Sequence, residues 1–579
     1  MNSEYFQELI AELKKEQDKK KRLSKQDIAK LKRKLAKKYK LSKFPTDIEI
    51  FLNAGQEDVK YLKHLQTKPT RSLSGVAVVA VMTKPMPCPH GKCTTCPGGP
   101  DSVFGQVPQS YTGKEPATMR ALRSGFDPYM QVMNRLEQYV VSGHVPDKAE
   151  LIIMGGTFPS FPKKYQEEFV KQCFKAMNDF SVLFFKKSRS KDIDMTAFKE
   201  FFELPGKVGD KKRTEKIQKK LKALKAKNKT VLEKEQAKNE KSRIRCIGLT
   251  IETRPDFAKL KHANQMLRLG CTRVELGVQS VHDRLLDNIE RGHSVADSIK
   301  ATEILKDLGF KINYHYMLGL PESNPAMDLL SLHELFQNPN FKPDMLKIYP
   351  CMVVKGTKLY QQWKKKKFHA LTTKKAAEII IEFKKNVPEY VRIMRVQRDI
   401  PTYMTEAGVD KTNLRQLIQN EMKKKGVKCR CIRCREIGRA DQAGLTKAKT
   451  STKIIMYNAS RGIEFFIAEE KGDALLGFVR MRFPWKSLRK EITKDSALIR
   501  ELHVYGETAG IGEKTARKSD LQAGKTQHRG IGKKLLKRAE DIAKKHGLKK
   551  MVVISGIGVR EYYKKLGYKK QGVYMVSRI

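Results

Sequence analysis

From Ser74 onward the chain alternates short, continuous apolar runs with longer stretches of helical periodicity. Gly75-Val-Ala-Val-Val-Ala-Val-Met82 is a β-branched run of the kind that forms a strand buried on both faces. The same grammar returns at residues 150–154, 245–252, 273–279, 311–317 and 345–349, mostly separated by helix-like segments such as 257–269 and 295–308. Repeated βα units predict a parallel sheet, open or closed into a barrel, with its active site at the strand C-termini. Ahead of it, Tyr5, Phe6, Leu9, Ile10 and Leu13 recur at helical spacing and lead into a lysine-rich run, so residues 1–72 read as basic helices. Within the barrel region (73–390), residues 186–243 form a charged insert; its 211–241 part, mostly Lys, Glu, Ala, Leu and Gln, reads as an exposed helix or helical hairpin. After a linker (391–440), residues 441–579 read as a second α/β unit, with strands at 464–467, 474–482 and 497–504 and a helix at 533–546.

The first apolar run delivers the chain to Cys88-Pro-His-Gly-Lys-Cys93-Thr-Thr-Cys96-Pro-Gly-Gly99. Thiolates spaced C-x4-C-x2-C on one loop suit three irons of a 4Fe-4S cubane and leave the fourth open to S-adenosylmethionine. A three-cysteine zinc knuckle borrowing His90 fits less well, because His90 lies inside the loop. Gly155-Gly156 after the second strand allows close backbone approach to an amino acid group. Glu252 and Arg254 end another strand with an acceptor and a fork of donors, and Gln279 ends the next; all five are expected to bind the cofactor. In the linker, Cys429, Cys431 and Cys434 (C-x-C-x2-C) suit a zinc site lacking one visible ligand, with a second iron-sulfur cluster as the rival.

Composition narrows the partners. Lys and Arg outnumber Asp and Glu by 117 to 63, a formal charge of +54, so a phosphate-rich nucleic acid is the expected partner. Six of the ten cysteines sit in the two clusters and four (Cys173, Cys246, Cys271, Cys351) are scattered, a metal-using pattern that excludes a disulfide framework. No signal peptide is visible and no apolar run approaches the roughly 20 residues of a spanning helix, so a soluble, cytoplasmic protein is expected.

In the last unit, Gln527-His-Arg-Gly-Ile-Gly532 opens a helix, and Q-x-x-G-x-G in a strand-loop-helix context is the acetyl-CoA grip of the acetyltransferase (GNAT) fold. Gln527, Arg529 and Gly530 belong to that grip. Ser555-Gly-Ile-Gly558, Tyr562-Tyr563 and Gly567-Tyr568 match the expected end of the fold, with a tyrosine available near the thioester sulfur.

With CPHGKCTTCPGG, MGGTF, ETRPD, VELGVQS and ELHVYG at Cys88, Met154, Glu252, Val274 and Glu501, the chain resembles the catalytic subunit of Elongator in its archaeal single-chain form. That resemblance implies a radical S-adenosylmethionine domain, a (partial) β/α barrel, joined through the cysteine linker to a GNAT-type domain. It implies attachment of a carboxymethyl group, drawn from acetyl-CoA, to carbon 5 of the wobble uridine in the tRNA anticodon stem-loop. By the same carry-over Lys148, Glu501, Leu502, His503, Val504, Ile531, Gly532, Lys533 and Tyr563 would contact acetyl-CoA, with Tyr563, Tyr562 and Lys148 at the reacting end. A protein lysine acetyltransferase with a structural cluster domain is the alternative, and it leaves the charge and the cofactor-binding strand ends without a purpose. A methylthio-transferring tRNA enzyme would need cysteines upstream of Cys88, and there are none.

Overall fold

The structure is a computed structural model that describes residues 3–18, 24–67, 75–185, 193–206, 209–440, 445, 448–506 and 530–579. The chain divides into two compact units: Met1–Val79, Tyr129–Ala149 and Lys171–Arg245 form the first; Ala80–Pro128, Glu150–Val170 and Cys246–Ile579 form the second.

In the first unit the helix Ser3–Asp18 buries Tyr5, Phe6, Leu9, Ile10 and Leu13, the stripe its periodicity marked. The helix Lys25–Lys38 is started by a capping box between Ser24 and Asp27. In the insert, the helix Met195–Phe202 precedes a pair of helices over the 211–241 part, Lys211–Ala226 and Leu232–Asn239. It is more firmly packed than an exposed hairpin: Ile217, Leu221 and Leu232 are buried, and Asn178 donates to the Glu235 carboxylate at 2.8 Å.

Two seven-stranded sheets organise the chain, and the greater part of both belongs to the second unit. The strands β1 (Ala77–Met82), β2 (Lys148–Met154), β3 (Arg245–Thr253), β4 (Arg273–Gln279), β5 (Lys311–Leu318), β6 (Met345–Pro350) and β7 (Arg392–Arg395) lie in sequence order. The pairs from β3 to β7 are parallel, as βα connections demand. This is the half-barrel the apolar runs pointed to, with β7 added. The second sheet runs β13-β14-β12-β11-β10-β9-β8 and is the acetyltransferase-type sheet. Its strands are β8 (Thr450–Ala459), β9 (Gly462–Lys471), β10 (Ala474–Phe483), β11 (Ser496–Val504), β12 (Lys550–Val553), β13 (Lys569–Gln571) and β14 (Tyr574–Arg578). The amphipathic helix Ile531–Lys545 buries Leu535, Leu536, Ala539, Ile542 and Ala543 against it.

A closed set of buried charges joins the two sheets. Arg482 donates to Asp307 at 2.6 Å and to Glu464 at 3.0 Å. Arg500 donates to Asp344 and Glu464, and Arg480 to Glu501 at 2.9 Å and the Tyr390 carbonyl at 2.7 Å. Lys306 lies 3.5 Å from Glu464. Asp307, Asp344 and the three arginines are at most 1% exposed. Among the described residues no helix is long and apolar enough to cross a membrane.

Candidate active site

β1 ends at Met82, and the cluster loop follows at the C-terminal end of the sheet. Cys93 and Cys96 are buried and Cys88 is half-buried. His90 Nε2 lies 3.0 Å from Cys93 Sγ, Arg291 Nη1 donates to the same sulfur at 3.6 Å, and the Ser110 amide donates to Cys96 Sγ at 3.2 Å. Hydrogen bonds and cations around the sulfurs are what three cluster thiolates need to carry their charge in a buried place. Burial pushes the Cys88 and Cys96 thiols up, so metal binding must drive their deprotonation. The scattered Cys246, Cys271 and Cys351 are fully buried and pushed up to about 12, which fits inert core thiols.

The expected cofactor residues gather around this loop. Gly155 and Gly156 both have left-handed backbones (φ +110° and +98°), and a Cβ on Gly155 would stand 2.6 Å from Thr83 Oγ1. Glu252 accepts from Tyr111 OH at 3.1 Å. Arg254 grips Asp256 through Nε and Nη2 and the Gly292 carbonyl at 2.6 Å, which leaves its buried Nη1 without a partner. Gln279 also has a left-handed backbone (φ +65°), a strain of order 1–3 kcal/mol that non-glycine residues carry mainly at functional sites. His90 Nδ1 and Arg291 Nε are buried and without a hydrogen-bond partner as well. Such orphans beside three thiols fit a bound cluster with a polar cofactor on it. Sequence reasoning missed Tyr111, Ser110 and Arg291, whose loops carry no strand or metal-ligand spacing.

Cys429, Cys431 and Cys434 bring their sulfurs within 4.8 Å of one another, as ligands of one ion require, whereas Cys88, Cys93 and Cys96 do not form so tight a group. Lys384 Nζ donates to Cys434 at 3.7 Å and offsets thiolate charge.

In the second sheet, β11 pairs β12 only from Ser496–Lys550 to Ile499–Val553, while β10 follows β11 to Val504. The ladder between β11 and β12 thus ends at Ile499, two residues before the Glu501–Val504 stretch expected to meet acetyl-CoA. A bulge leaves Arg500 as the extra residue between Ile499, opposite Met481, and Glu501, opposite Arg480. The carboxylate of Glu501 is taken by Arg480 and the half-buried His503 ring lies against Phe478 and Tyr505, so the strand's backbone remains to meet a ligand. Gly530 has a left-handed backbone (φ +81°) at the N-terminus of the helix Ile531–Lys545, and a side chain there would enter open space. A Cβ on Gly532 would lie 3.0 Å from Tyr562 OH and 3.7 Å from Val504 Cγ2, so the helix start, β11 and Tyr562 converge. Tyr563 packs in the core instead, and burial raises its phenol. Lys148 opens β2, and burial lowers its ammonium. Gln527 and Arg529 lie outside the described residues.

Comparison with known proteins matches the ELP3 N-terminal domain over residues 3–73, the Radical SAM superfamily over 207–332, the Radical_SAM C-terminal domain over 343–424 and the acetyltransferase (GNAT) family over 442–568. The chain is 45% identical to the tRNA uridine(34) acetyltransferase of Methanocaldococcus infernus over 98% of both chains. It is 38% identical to Elongator complex protein 3 of Saccharomyces cerevisiae, over 94% of this chain and 91% of that one. The chain belongs to the Elongator complex protein 3 family. A solved family structure, the archaeal Methanocaldococcus infernus Elp3 with N-terminus deletion (1-46), superposes with a TM-score of 0.69 and 40% identity, covering 88% of this chain and all of that one. The two motif sets read from the sequence are therefore those of one family.

Proposed function

We propose that the chain modifies tRNA, using a 4Fe-4S cluster, S-adenosylmethionine and acetyl-CoA to place a carboxymethyl group on carbon 5 of the wobble uridine. The observation that carries this reading is how the acetyltransferase-type sheet is held. Its charged face is fixed to the N-terminal ends of the half-barrel strands by buried ion pairs, and Gly556, three residues past the point where β12 parts from β11, is packed so closely on β3 that a Cβ would lie 2.0 Å from the Ile247 carbonyl. A protein lysine would have to pass through that contact. The relatives named as tRNA uridine(34) acetyltransferases support the same substrate.

Cys88, Cys93 and Cys96 would hold the cluster. The Gly155-Gly156 backbone, Glu252, Arg254 and Gln279 would orient the cofactor, and Arg291 would balance thiolate charge. When bound, cluster and cofactor supply a one-electron route to hydrogen abstraction from an unactivated methyl, chemistry that no side chain offers. The Gly530–Lys533 turn and the Glu501–Val504 backbone would grip acetyl-CoA. Tyr562 and Lys148 are proposed at its acyl end, with Tyr563 as the core residue that backs the Tyr562 ring, and Tyr562, its phenol raised by burial, would stay protonated and donate to the thioester carbonyl. Cys429, Cys431 and Cys434 would bind zinc.

The test incubates the reconstituted protein with tRNA, S-adenosylmethionine, acetyl-CoA and a reductant, then analyses wobble nucleosides by mass spectrometry. Carboxymethyluridine that requires all four supports the reading. Lysine acetylation independent of S-adenosylmethionine, without any modified uridine, sinks it.

A further inference from the structure

The inner face of the half-barrel is polar along its whole depth, although it is buried. Glu150 on β2, Thr250 and Glu252 on β3, Arg273 and Glu275 on β4, Asn313 and His315 on β5, and Lys347 on β6 form rows by register: Glu252 faces Glu275, Glu275 faces Asn313, and His315 faces Lys347. At one end, Tyr111 OH reaches Glu252 beside the cluster loop. At the other, the face of β11 that carries Glu501 and His503 closes the row: burial opposes it, but Arg480 and Lys311 hold the Glu501 carboxyl below its ordinary range, and burial pushes His503 down to about 4.

Most of the row is satisfied internally. Arg273 pairs with Glu150 at 2.5 Å, His315 Nε2 lies 2.7 Å from Glu275, and the Lys347 ammonium bridges Glu275 and Glu252. Glu252, Glu275 and His315 are close enough to hold a cation, but that ammonium already stands on both carboxylates. What is left over is neutral or a lone donor: Asn313, with no solvent exposure, has no partner for either amide atom, and Thr250 Oγ1 and Arg273 Nε make no hydrogen bond, whereas Glu275 Oε1 is held 3.5 Å from Arg273 Nη2. Four buried polar atoms without partners on three adjacent strands call for a ligand with both donors and acceptors, rather than a metal or an apolar group.

We propose that this row binds the acylated end of the acetyl-CoA arm, whose thioester carbonyl and neighbouring amides present acceptors and donors in turn, and that the barrel interior carries the acetyl methyl from the β11–β12 divergence toward the cluster loop. This rests on acetyl-CoA being the co-substrate. It gives the closed contact at Gly556 a use, because an acetyl group barred from solvent on that side has the half-barrel in front of it.

The test uses the full chain with its cluster reconstituted, tRNA, S-adenosylmethionine, reductant and acetyl-CoA trideuterated in the methyl group. The readout is deuterium in 5′-deoxyadenosine per S-adenosylmethionine cleaved. Asn313→Leu, close in volume, should lower that ratio about tenfold, the effect of one lost buried hydrogen-bonding partner, and Asn313→Gln should recover part of it. Thr250→Val, isosteric and gentle on folding, should lower it in the same direction. Ratios in Asn313→Leu and Thr250→Val equal to that of the unaltered chain would make these atoms water sites and overturn the inference while leaving acetyl-CoA as co-substrate. No deuterium transfer in the unaltered chain would overturn the co-substrate reading, and the inference with it.

Discussion

Cys93 has two nitrogens close to its sulfur, His90 Nε2 on one side and the Arg291 guanidinium on the other. Cys93→Ser is expected to abolish cluster assembly, measured as bound iron, and with it S-adenosylmethionine cleavage. Binding of tRNA should survive, because affinity for a polyanion is spread over many phosphate contacts. Cleavage that persists without iron would rule out the radical assignment. At Gly530 the open space beyond the Cα tolerates a side chain sterically, but the left-handed backbone does not suit one, at a cost of order 1–3 kcal/mol. Gly530→Glu also sets an anion where a helix N-terminus would meet pyrophosphate. The protein should stay folded by circular dichroism and lose acetyl-CoA affinity in calorimetry; normal affinity would mean the grip lies elsewhere.

Strands were more legible than the charges that join them. The runs of β1 to β6 were visible because one face of each strand is filled by β-branched and other apolar residues, even where polar residues alternate with them on the other face, as in β4 and β5. β8 escaped notice: as the edge of its sheet it mixes Ile454 and Met456 with exposed threonines and serine, and neither period stands out. β9 was read as 464–467, short of Lys471, because Glu469 and Glu470 look like solvent-facing turn residues. Both are buried, paired with Lys534 and Arg435 at 2.6 and 2.5 Å, partners remote in sequence. Arg480, Arg482 and Arg500 did not hide their strands, read as 474–482 and 497–504, but their buried partners Glu501, Asp307 and Asp344 are not legible from the pattern. Their expected weight is large: Arg500→Met would leave Asp344 and Glu464 buried with less compensation, a loss of roughly 3–5 kcal/mol, visible as a lower urea midpoint. The pH dependence has a definite sign. Burial opposes ionisation of Asp344 and Glu464, but Arg500 and Lys306 overcome it and hold both carboxyls below the ordinary range. Their stabilising contribution is complete above about pH 4 and is lost as pH falls through the lower folded values. Arg500→Met should therefore lose less stability on acidification than the unaltered chain does.

At the scale of the whole chain, the charge of +54 sets how binding responds to salt. Residues 1–43 carry fifteen Lys and Arg against six acids. Their apolar face is packed while lysines such as Lys30, Lys34 and Lys37 remain outside, so a folded helical element there exposes a cationic face, which is proposed to meet phosphates. Deleting these residues should lower tRNA affinity and flatten the slope of log affinity against log salt, while iron and acetyl-CoA binding persist. An unchanged slope would move RNA binding to the insert and the cysteine linker. The buried charges between the sheets reach further than stability. A gene fusion that exchanged residues 441–579 for another acetyltransferase would strand Asp307 and Asp344 without their arginines, and the excised half would carry three arginines evolved for an interior. The two halves are written in one charge alphabet, so recombination between distant relatives should succeed only when both come from the same parent.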